Sequence, residues 1–222
     1  MEDGMLAALK NKETYRHYFA TLKYALYCIS HPLDGFWDLT HERRGSMAGA
    51  NTILILTIVA RIASLYFTSF VVDVTYWPGV NIFLYIASIL MPLALFCIGN
   101  WGLTTLFDGK GRLGQIYMAT CYAMTPYPLL QFPLILFSQV LVQEEVAFYN
   151  LIAGFALVWA GGLIVAAMIQ IHEYSLSKTI FFMIASIAAM LVMVFILLLF
   201  FSMISQGVAY FISMYREISF RM

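Results

Sequence analysis

The sequence predicts an all-α integral membrane protein, a bundle of five transmembrane helices preceded by an amphipathic N-terminal helix. Three observations carry this. Hydrophobic residues make up 62% of the 222 and charged residues only 11%, more apolar surface than a soluble domain of this size can use. Apolar stretches of about twenty residues, the length that crosses a bilayer, recur along the chain. Basic residues gather on alternate connecting segments. Twelve Lys plus Arg balance twelve Asp plus Glu, so net charge points to neither nucleic acid nor an acidic substrate.

Residues 1–46 come first, too short and too polar for a core of their own. They open acidic with no long apolar run, which predicts no cleavable signal and leaves the first span as the insertion signal. Tyr15, Tyr18, Phe19, Leu22, Ala25, Leu26 and Ile29 recur at helical three- and four-residue steps, flanked by Arg16 and Lys23. That stripe predicts a helix on the cytoplasmic membrane surface or against the bundle.

The transmembrane domain is expected over 47–206, with spans at 47–72, 79–107, 115–143, 146–171 and 179–205. The third carries Pro126, Pro128, Pro133 and Gln131 and reads as a kinked span or a re-entrant segment. Residues 207–222 form a short tail. Orientation follows from charge. Lys10, Lys12, Arg16, Lys23, Arg43 and Arg44 precede span one. Lys110 and Arg112 lie between spans two and three, and Lys178 between four and five; the opposite loops hold only Asp73 and Glu144-Glu145. The N-terminus is therefore expected in the cytoplasm and the tail outside, in a plasma membrane. Tyr76-Trp77 and Phe148-Tyr149 outside, with Tyr117 and Tyr174 inside, suit the two interfaces. Cys28, Cys97 and Cys121 are odd in number with no CxxC spacing and read as small apolar packing residues.

Three stretches resemble the bacterial branch of the Yip1 family of small five-span membrane proteins. One is the approach to span one, from His31 through Asp34-Gly-Phe-Trp37-Asp38 to Ser46. Another is the turn after span two, Asn100-Trp-Gly-Leu-Thr-Thr-Leu-Phe-Asp108-Gly109-Lys-Gly111-Arg112. The last, Gln115 to Pro126, ends in Tyr122-Ala-Met-Thr-Pro126. The resemblance implies an all-helical membrane bundle without catalysis or cofactor. The Rab-linked traffic role of eukaryotic relatives is not expected to transfer, because their Asp-Leu-Tyr-Gly-Pro-type motif has no match here.

Several constellations invite chemistry. His31, Asp34, Asp38 and His41 would share a face of a continuous helix, and two His with two carboxylates suit a divalent metal. Gly35 and Pro32 argue instead for a polar interfacial turn in which Asp34 or Asp38 caps helices. Arg43-Arg44 reads as a topology determinant. Asp108-Gly-Lys-Gly-Arg112 lacks phosphate-loop spacing and reads as a tight turn with Asp108 bonding its backbone. Trp159 with Gly154, Gly161 and Gly162 marks close helix packing, and Gly162-x-x-x-Ala166, Ala156-x-x-x-Ala160 and Ala185-x-x-x-Ala189 offer small-residue contact faces.

Arg61 is the exception, a cation within an apolar run that needs a receiver inside the protein. Pro92 and Pro128 free the carbonyls of Ser88 and Met124. With Gln131 and the Ser88 hydroxyl, these predict a midplane polar layer of Arg61, Gln131, Pro92 and Pro128. The layer serves either as a pin fixing helix register or as an anion or polar-solute site.

The function expected is that of a non-enzymatic scaffold or accessory to a membrane transport or envelope system. Its partners would be the bilayer, another membrane protein such as a transporter subunit, or a second copy. The alternative is a small channel or transporter for ions or polar solutes, built round Arg61. An intramembrane enzyme has only His172-Glu173 to rest on.

Overall fold

The computed structural model describes residues 2–42, 44–73 and 79–221, with side chains from residue 15 to residue 220 of these. Arg43, Tyr76, Trp77 and the side chains of Lys10, Lys12 and Arg221 lie outside the described residues. Every element described is helical. In order they are α1 (Glu2–Ser30), α2 (Pro32–His41), α3 (Met47–Phe67), α4 (Ile82–Leu106), α5 (Leu113–Ala123), α6 (Pro126–Ser138), a single 3-10 turn (Gln143–Glu145), α7 (Val146–His172) and α8 (Leu176–Arg221).

Four helical stretches are long and apolar enough to cross a membrane: Met47–Phe67, Ile82–Leu106, Gln143–His172 and Leu176–Phe220. These carry four of the five expected spans. The third expected span, 115–143, is two short helices, each below the length needed to cross alone. Pro126 has no N–H for the Tyr122 carbonyl, so the ladder stops there. Thr125 takes over that acceptor, its hydroxyl donating to Tyr122 O at 2.6 Å and its N–H at 3.2 Å. Pro128 likewise frees the Met124 carbonyl, which accepts from the Tyr127 N–H at 3.0 Å.

Taken together the two halves still follow α3 in the same direction, α5 against its N-terminal part and α6 against its C-terminal part. Tyr117 donates to Asn51 Oδ1 at 2.6 Å, the Ser46 N–H donates to the Tyr122 hydroxyl, Gln131 bonds Ser64, and the Ser69 N–H donates to Ser138. α7 returns antiparallel to the α5–α6 pair, from Tyr149 against Gln131 to His172 against Gly111. α4 packs on α8 through Gly99, whose missing side chain admits Met193 and Ala189.

The N-terminal hairpin packs on the bundle. α1 and α2 bury Ala25, Cys28, Phe36 and Leu39 in the same core as Ala50, Ile116 and Met168. Of the expected stripe only Ala25 is buried; Tyr15, Phe19 and Leu26 remain exposed. α2 is a continuous helix, against the expected turn, because Pro32 stands at its first position, where no donor is lost. Gly35 lets α2 lie on α1: a Cβ there would stand 2.9 Å from Cys28 Cα. Burial beside Asp38 pushes the Cys28 thiol up to about 12, so this cysteine is unreactive packing.

Two element ends and one packing face differ from expectation. α3 stops at Phe67 rather than continuing to 72, with the Thr68 N–H closing on Ser64 O. α8 runs on through Arg221 instead of ending near 205. The glycines of α7 do not pack closely; a Cβ added at Gly154, Gly161 or Gly162 meets nothing within 4 Å, and Trp159 is 40% exposed. The buried small-residue face of α7 is Ala156, Ala160 and Ala166.

Candidate functional site

Two places concentrate polar side chains: the end of the bundle carrying the glycine-rich turn, and a lateral cleft beside Arg61.

At the turn, α4 ends with Asp108 in the left-handed region (φ 59°), and the Gly109 N–H closes back on Thr104 O at 2.8 Å. Aspartate tolerates that conformation, so the glycines are not there for backbone freedom. They make room. A Cβ on Gly109 would meet Thr104 Cβ at 2.7 Å, and one on Gly111 would meet His172 Cε1 and Ile171 Cγ2 at 2.6 Å.

His172, 2% exposed, closes α7 at this point. The Gly111 N–H donates to its Nδ1 at 3.3 Å, which leaves the proton on Nε2 to bond Asn100 Oδ1 at 3.0 Å. Asn100 Nδ2 then donates to Ser186 Oγ at 3.1 Å, and Ser186 donates to Phe182 O. This chain ties α4, α7, α8 and the turn together, and among the described residues no buried side-chain polar atom lacks a partner. Outside the bundle end, Lys110 pairs with Glu173, and His41 Nε2 stands 3.8 Å from the same carboxylate. The Lys110 bond holds the Glu173 carboxyl below the usual range.

Five of the seven family-like residues therefore gather at this end of the bundle, while Tyr122 and Pro126 lie elsewhere along α5 and α6. Asn100, Gly109 and Gly111 surround His172; Asp108 shapes the turn; Trp37 stacks on His41 at 3.8 Å, next to Glu173. Tyr122, fully buried, accepts from the Ser46 N–H and donates to Thr21 O, pinning α1 to α5; Pro126 opens α6. His172 and Ser186 complete the chain and were not legible as partners. The only sign was a His-Glu pair ending an apolar run.

The metal-type face that the His31, Asp34, Asp38 and His41 spacing would allow is not assembled among the described residues. His31 stacks on Tyr27 and His41 on Trp37, while Asp38 accepts from the Tyr24 hydroxyl and pairs with Arg44. Neither aspartate caps a helix; the N-cap of α2 is His31. Among the described residues no group of His, Cys, Asp or Glu has a metal-binding arrangement.

Arg61 lies six residues before the end of α3, ~9 Å of rise. Gln131, expected as its acceptor, donates instead to Ser64 Oγ at 2.9 Å and Tyr149 Oη at 3.1 Å. One helical turn separates Ser64 from Arg61, so the two polar groups sit side by side without joining. The Ser88 hydroxyl bonds back to Tyr85 O at 2.7 Å. The guanidinium stands over the Tyr85 ring, 5.4 Å from its centroid, and faces the Tyr127 hydroxyl. Around it is a cleft of about 500 Å³ between α3, α4, the α5–α6 junction and α7. Arg61, Ser88 and Tyr127 give it polar groups; Ile89, Met124, Leu157 and Ile164 give it apolar walls. Pro92 and Pro128 do not line it.

A family model for the Yip1 domain matches residues 26–213, from within α1 to within α8. The chain belongs to the Yip1 family. It is a membrane protein of that family, which is not known for catalysis. The Yip1 domain match includes all of α2 but only the last residues of α1, so the N-terminal hairpin lies partly within the matched segment and partly before it. Comparison with curated proteins and with solved structures yields no match.

Proposed function

We propose that this Yip1-family protein is a non-enzymatic scaffold or accessory that docks another membrane protein, such as a subunit of a transport or envelope system, in a bacterial cytoplasmic membrane. It crosses five times, α5 and α6 making the third crossing together, with its N-terminus in the cytoplasm and its C-terminus outside. The parallel run of α5–α6 along α3 supports the count, and the one-sided distribution of Lys and Arg supports the orientation.

The observation that supports the docking role is the exposed length of α8. From Val194 to Phe220 every side chain is exposed. The 46-residue helix rises ~69 Å, more than twice the hydrocarbon thickness of a bilayer. Lipid can cover the first part. Beyond it the helix still presents Val208, Phe211, Tyr215 and Ile218, with Ser202, Gln206, Ser213 and Arg216 in a stripe at three-, four- and seven-residue steps. A helix with an apolar face and a row of hydrogen-bonding groups is suited to a neighbouring helix.

A photo-crosslinking residue at Phe211 or Tyr215, with one at Leu157 as control, tests this in native membranes. One stoichiometric partner captured from the α8 positions and not from the control supports the reading. Adducts only to a second copy, or none, would overturn it. A channel or transporter is the second reading, favoured by the cleft beside Arg61. Equal solute flux through liposomes carrying wild type and Arg61→Ala removes it.

A further inference from the structure

We propose that the cleft beside Arg61 receives the acidic head of a single-chain membrane amphiphile, a carboxylate or phosphate monoester, with the tail against the wall formed by α7. The inference is independent of the docking role of α8.

Three observations lead there. Among the described residues Arg61 pairs with no carboxylate; its charge faces one aromatic ring and one phenol. A cation set within a membrane helix without counter-charge favours an anionic guest. The donors are also in place. The hydroxyls of Thr57 and Ser88 are spent on their own helices, but the guanidinium N–H groups and the Tyr127 hydroxyl converge on the same space.

The shape selects the class of guest. About 500 Å³ lined largely by aliphatic side chains is far more room than a small inorganic anion fills. The mouth is lateral. Leu157 is 60% exposed, Arg61 and Gly161 are exposed, and a Cβ on Gly161 meets nothing within 4 Å. A guest entering through that side comes from the lipid phase, where an amphiphilic acid resides and a hydrated ion does not.

The test uses the full chain in phosphatidylcholine nanodiscs. Three photoreactive sixteen-carbon probes are compared: a fatty acid, an alkyl phosphate and the corresponding alcohol. Saturable labelling of residues 157–164 by either acid, with the alcohol no better than bulk lipid, is the expected result. Arg61→Gln lowers labelling by about tenfold or more, as expected for a lost charged hydrogen bond, and Arg61→Lys retains part of it. Should Arg61→Gln fail to fold, Gly161→Leu decides, since it fills the cleft from the facing helix and leaves the cation in place. Equal labelling of wild type and Gly161→Leu by the acids, or labelling by the alcohol as strong as by the acids, overturns the proposal. So does displacement of the probes by inorganic phosphate, which would make the guest a small anion.

Discussion

Gly111 has an ordinary backbone conformation, yet it is among the least replaceable residues of the turn. Its N–H bonds His172, and any side chain would run into His172 and Ile171 at 2.6 Å. Both neighbours are buried and packed, so neither swings aside. Gly111→Ala is expected to destabilise the protein by about 1–3 kcal/mol, the usual cost of overpacking. A lowered detergent melting temperature, with Gly102→Ala unchanged because its Cβ meets open space, would bear this out. Residue-scale reading of the sequence had marked Gly111, but as a turn glycine. Its actual reason depends on a histidine sixty-one positions later, and no local pattern reports a contact of that kind. Arg61 shows the same limit. That it needed special treatment was legible from one charge in an apolar run. Its neighbours were not, because Gln131 lies at a similar depth but faces Ser64 and Tyr149.

Among elements, those that hydropathy defines were legible: α3, α4 and α7 fall within a few residues of the expected spans. The exceptions are set by hydrogen-bond closure and proline, which hydropathy does not weigh. The junction between α5 and α6 tests that account. Thr125 replaces with its own hydroxyl the donor that Pro126 cannot supply to the Tyr122 carbonyl. Thr125→Val keeps shape and volume but leaves only the longer N–H contact, so a loss of about 1 kcal/mol is expected. Thr125→Ser keeps the hydroxyl and should recover most of it. If Val and Ser variants melt alike in detergent, the hydroxyl is not what closes the junction.

At the scale of the whole molecule, the bundle and the distal half of α8 are separable. The packing of α8 on α4 runs through Phe182, Ser186, Ala189 and Met193, and from Val194 to Phe220 no side chain is buried. Core packing therefore resides before that point, while the exposed length offers its side chains to what lies outside the bundle. A stop codon after Ser205 is expected to leave the bundle intact, with a detergent melting temperature unchanged from the full chain. It leaves enough of α8, residues 176–205, to cross a bilayer. The same truncation is expected to abolish co-purification of the partner with the chain from native membranes in mild detergent. Loss of thermal stability on truncation would show that the distal helix folds back on the bundle. Retention of the partner by a stable truncated chain would place the docking surface in the bundle instead, and the exposed length of α8 would then need another explanation.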